Sequence, residues 1–122
     1  MRIKLILIAL FISGCSESVT TQAHETHPNL NTAWKYYDYS ELTHRNQLKE
    51  FTGIDPVRTE WCAAFVNAVL EESGIEGSSS VSDYPLTARS FLRWGIGVQF
   101  PEAGDIVVFP RGNSSWQGHV GF

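Results

Sequence analysis

Cys62 and His119 are the residues of this 122-residue chain whose types and order suit nucleophilic chemistry. Cys62 falls near the start of an apolar-periodic stretch, residues 59–72, whose spacing predicts a helix. A helix N-terminus has free backbone N–H groups and the positive end of the dipole. Both favour a thiolate, and the N–H groups can also hold an oxyanion formed on a substrate carbonyl. His119 begins a second apolar run that reads as a strand, beside a first run at residues 106–109. A cysteine at a helix start followed downstream by a histidine on a strand is an arrangement for attack on a carbonyl, with the imidazole moving the proton. Each residue also has a plainer reading. A single cysteine on an apolar helix face is commonly a small core residue, and a single histidine at a strand start is commonly a surface group.

The elements that must position these residues follow from the pattern. Residues 15–31 are polar, with Pro28 and almost no large apolar side chain, and read as a flexible tether of roughly 50 Å when extended. Residues 44–51 predict a helix ended by Gly53. In the helix over 59–72, Thr59 is the expected cap, Glu60 suits the positive end, and Gly74 suits the exit. Residues 77–82 form a Ser/Gly loop, and 87–94 predict another helix with Ala88, Phe91 and Leu92 on one side. Residues 101–105 read as a turn, 106–109 as a buried strand, 110–117 as a polar loop, and 118–122 as a second strand. Helices first and strands second give an α+β fold, with helices packed on one face of an antiparallel sheet.

The N-terminus reads as a targeting segment. A basic start at Arg2 and Lys4 precedes eight apolar residues, 5–12, a run too short to span a bilayer. Ile12-Ser13-Gly14-Cys15 resembles the bacterial lipoprotein cleavage motif, which makes residues 1–14 a signal peptide and Cys15 the lipid attachment site. That resemblance implies export across the inner membrane and a chain anchored to the membrane, facing the periplasm or the cell surface. Cys15 and Cys62 are the only cysteines, so the alternative is a disulfide between them. A lipidated Cys15 leaves Cys62 as a free thiol.

Composition narrows the partners. Hydrophobic residues make up 43% and charged residues 18%, an ordinary globular balance for one domain. Loss of residues 1–14 leaves 7 basic and 13 acidic residues, net −6. Without a Lys/Arg cluster, a nucleic-acid partner is not expected. No His/Cys/Asp set has the spacing of a metal site, and His24 and His27 in the tether read as solvated, so neither metal nor cofactor is expected.

Three blocks carry a resemblance. Trp61-Cys62-Ala63-Ala64-Phe65-Val66-Asn67, Ala103-Gly104-Asp105-Ile106-Val107-Val108-Phe109 and Trp116-Gln117-Gly118-His119-Val120-Gly121-Phe122 resemble the signature blocks of the CHAP-type cysteine, histidine-dependent amidohydrolases/peptidases and the related NlpC-type enzymes. The likeness spans residues 32–122 and implies a papain-like core, peptidoglycan peptides as substrate, Cys62 as nucleophile and His119 as base. Asp105 reads as structural. Trp61 and Trp116 fit either cleft walls or core packing. Family members usually continue for several strands past the histidine and place there a polar residue that orients the imidazole. This chain stops three residues past His119, so the domain reads as truncated after its second strand. Glu60, Asp83 and Asn113 are fallback candidates for the orienting role. Two functions compete: a peptidoglycan amidase or endopeptidase, and an inactive papain-like domain that serves as an envelope binding module.

Overall fold

A computed structural model describes residues 27–122. The signal at residues 1–14, Cys15 and the tether up to residue 26 lie outside the described residues. The described chain is α+β. Three α-helices, α1 (Pro28–Trp34), α2 (Arg45–Thr52) and α3 (Cys62–Glu72), are followed by a 3-10 turn, Ser78–Ser80, and a 3-10 helix, Ala88–Arg93. Strands β1 (Val107–Pro110) and β2 (Gly118–Gly121) close the order.

The core lies along α3. Ala63, Val66 and Leu70 on one side of it meet Ala88 and Phe91 of the 3-10 helix and Val120 of β2. The other side meets α2, where Leu48 is fully buried. Phe65 closes this side edge-on against Tyr36 and Phe51, each with ring centres 5.8 Å away.

α3 starts at Cys62, three residues later than the pattern predicts, and its cap residue is Trp61, with no side-chain cap. Thr59 and Glu60 lie outside it because Asp55-Pro56 begins a turn of its own. The Asp55 carbonyl accepts from the N–H groups of Arg58 and Thr59, both at 3.1 Å, and the Asp55 side chain accepts from Val57 N–H at 3.2 Å. The exit is as expected. Gly74, at φ 77°, donates to the Glu71 carbonyl, and Ile75 N–H donates to the Leu70 carbonyl at 2.9 Å, the paired bonds of a Schellman motif. Gly53 ends α2 in the same left-handed conformation.

Three other expectations are corrected. α1 takes in residues 28–31, which the sequence places in the tether. Asn29 is buried and its amide donates to the Gly104 carbonyl at 2.7 Å, a long-range anchor that a polar composition does not reveal. Residues 88–93 form a 3-10 helix, so Ala88 and Phe91, three apart, both turn inward while Leu92 is 65% exposed. The Ser/Gly loop contains an ordered turn in which Ser78 is fully buried.

β1 and β2 are antiparallel, with Val108 opposite Val120 and Phe109 opposite His119. Val108 and Val120 face the core. By strand alternation Val107, Phe109, His119 and Gly121 share the other face. β1 is not the buried strand expected, since only one face of the hairpin is covered and Phe109 is 54% exposed. Gly118 lets the hairpin approach the 3-10 helix. A Cβ there would stand 2.8 Å from the Phe109 carbonyl and 3.3 Å from Ala88 Cβ.

Candidate active site

Cys62 is the first residue of α3 and half-buried, its side chain packed against the core cluster. The N–H groups of the first helical turn have no partner within the helix. Cys62 opens on a cleft of about 250 Å³. Residues 86–88 form one wall, Arg111 and residues 116–118 form the other, and Glu60 stands at the helix end.

The wall that carries Trp116 is held in shape by its own loop. The Gln117 carbonyl accepts from Arg89 Nε at 2.8 Å and from Arg111 N–H at 3.3 Å. Gln117 N–H donates to the Ser114 carbonyl at 3.3 Å. Gly112 takes a left-handed conformation in this loop, at φ 59°, which favours glycine. Arg89 thus ties the 3-10 helix to the loop that carries Trp116. The sequence gives no sign of this role, because an arginine on a polar helix face ordinarily reads as solvated.

His119 is half-buried on β2, one residue beyond Gly118, which lines the cleft. α3 and β2 pack directly against each other, so the fold brings together the elements that carry Cys62 and His119. Among the described residues, no hydrogen bond joins the Cys62 thiol to the imidazole, and His119 does not line the cleft. By strand alternation His119 lies on the hairpin face opposite Val120, which faces the core beside Cys62.

The remaining candidates divide. Trp116 is 59% exposed on the cleft wall. Trp61 does not line the cleft and packs edge-on against Phe65 at 5.8 Å. Asp105 accepts from Glu102 N–H at 2.8 Å and closes the turn before β1, as its structural reading anticipates. Glu60 is in the cleft and Asp83 in a neighbouring one, and neither they nor Asn113 hydrogen-bonds His119. No group of three or more His, Cys, Asp or Glu side chains that could hold a metal occurs among the described residues.

A family-model match over residues 54–122 supports membership of the CHAP/NlpC-type peptidase superfamily. The chain belongs to the CHAP domain family, whose model matches residues 54–122, more than half of its length. No curated protein and no solved structure matches it. CHAP domains are generally hydrolases, and the family assignment points to hydrolase or amidase activity on peptidoglycan.

Proposed function

We propose that this chain cleaves amide bonds in the peptide part of peptidoglycan, as an amidase or endopeptidase, with Cys62 as nucleophile and His119 as general base. The observation that carries this reading is the place of Cys62, first in its helix and open to a cleft, in a chain of the CHAP family. Cys62 Sγ attacks the carbonyl carbon while His119 accepts the thiol proton. The N–H groups at the start of α3 take up the oxyanion charge. Collapse of the tetrahedral intermediate breaks the C–N bond, and His119 delivers its proton to the leaving amine. Water then attacks the thioester, again losing a proton to His119, and the peptide carboxylate leaves as the thiol is restored. We further place the mature chain at the membrane through a lipid on Cys15, which sets the enzyme beside its substrate.

Purified peptidoglycan digested with the native chain should release peptides or free amines, read by chromatography. Cys62→Ala should reduce turnover by at least about a thousandfold while keeping substrate binding, since it removes the nucleophile and leaves α3 intact. His119→Ala should do the same at neutral pH. Identical fragments from native protein and Cys62→Ala would sink the nucleophile assignment. The absence of a Cys62–His119 hydrogen bond favours the second reading, an inactive envelope binding module. That reading predicts peptide binding without fragments from any wall type.

A further inference from the structure

The described residues carry seven Lys and Arg side chains in an acidic protein. Three of them are in ion pairs: Lys35 with Glu72, and Arg45 and Arg58 with Asp55. Of the four that are not, Lys49 lies on α2, away from the site. The other three, Arg89, Arg93 and Arg111, border two adjoining clefts. The first holds Cys62 and Arg111. The second, of about 530 Å³, holds Arg89 and Arg93. Trp116 and Thr87 line both, so the clefts form one groove that passes Trp116. Two carboxylates also line it, Glu60 in the first cleft and Asp83 in the second, and neither is paired with an arginine.

Unpaired guanidinium groups in a recess are matched in fork geometry by carboxylates. In a chain of net negative charge, the surface at large repels an acidic ligand, so a local excess of arginine fixes where such a ligand can lie. Arg89 already has its Nε bonded to the Gln117 carbonyl, which orients the guanidinium and leaves its terminal groups for another partner. Arg93 is exposed and has no partner of its own among the described residues. We propose that the cleft beyond Trp116 is a subsite for a substrate carboxylate, with Arg93 as its principal cation, and that the substrate is a peptide bearing a free carboxylate. The subsite rests on the hydrolase reading for its place in a reaction, but binding alone tests it.

The full chain carrying Cys62→Ala is titrated by calorimetry with stem peptides released from purified peptidoglycan, either with free carboxyls or after conversion of the carboxyls to amides. The free-carboxyl peptides should bind about tenfold more tightly than the amidated ones, in keeping with one partly exposed charged hydrogen bond. That gap should shrink as ionic strength rises from about 0.05 to about 0.5 M. Adding Arg93→Gln should close most of the gap, Arg93→Lys should keep part of it, and Lys49→Gln should leave it unchanged. Equal affinity for the two peptide forms, or a gap that survives Arg93→Gln, overturns the subsite. A chain that never hydrolyses but shows an Arg93-dependent gap keeps the subsite and loses the hydrolase reading. A chain that hydrolyses both forms with equal KM loses the subsite and keeps the hydrolase.

Discussion

Asn67 is the side chain on α3 that fixes the segment forming one wall of the cleft. It is buried, its Oδ1 accepts from Ser78 N–H at 2.7 Å, and its Nδ2 donates to the Pro85 carbonyl at 2.9 Å. Ser78 and Ser90 complete the network through a hydroxyl pair at 2.8 Å. Gly77 is required beside it, because a Cβ there would fall 2.3 Å from Asn67 Oδ1. Asn67→Ala strips partners from a buried N–H and loosens the anchor of residues 85–88. It should lower stability by about 1–3 kcal/mol, read as a lower urea midpoint with an unchanged slope. A midpoint equal to that of the native chain would show that Asn67 is not the anchor. At this scale a lone asparagine in an apolar helix was visible in the sequence, but its two partners, 11 and 18 residues downstream, were not.

At the scale of elements, α2 is clamped to the turn that precedes α3. Arg45 on α2 forms a forked pair with Asp55, Nε to Oδ1 at 2.9 Å and Nη2 to Oδ2. The hydrogen-bonded Arg45 guanidinium lowers the Asp55 carboxyl from 3.8 to about 2, with the Val57 N–H and the Arg58 charge assisting against partial desolvation. Between these values the unfolded chain binds the proton and the folded one does not, so the stabilisation is fully present above about pH 4 and is lost as pH falls toward 2. The native chain and Asp55→Asn, compared by urea midpoint across this range, should differ by a constant amount above pH 4 and converge near pH 2. A difference that stays constant down to pH 2 would mean that the clamp contributes nothing through its charge. The pair is partly exposed and should weaken in salt.

For the whole molecule, the proposed site depends on a helix and a hairpin that are far apart in sequence and packed together in space. The groove opens beside Trp116, and the chain reaches its described start at His27 after a polar stretch from residue 15. If Cys15 is the lipid attachment, the mature protein should partition into detergent, and its N-terminal peptide should have the mass of a diacylated or triacylated cysteine. An unmodified N-terminus near Ala23 would remove the anchor and leave a freely diffusing exported protein. Among the described residues no helix is long and apolar enough to cross a membrane.

The order of elements from α2 onward, the α+β class, the helix that bears Cys62 and the strand that bears His119 were legible in the sequence. These features rest on local periodicity and on glycine stops such as Gly53 and Gly74, which act within a few residues. The start of α3 at Cys62 was not legible, because the turn that Asp55 begins runs on to Thr59, the residue the pattern reads as the cap. Nor was the order of residues 28–31, which depends on Asn29 reaching Gly104, 75 residues away. The cleft wall was missed for the same reason. It is set by Arg89 gripping the Gln117 carbonyl across 28 residues. Contacts of that separation leave no periodic trace in a sequence. They exist only once α3, the 3-10 helix and the hairpin have closed on one core, and tertiary packing alone decided which arginines would face the groove.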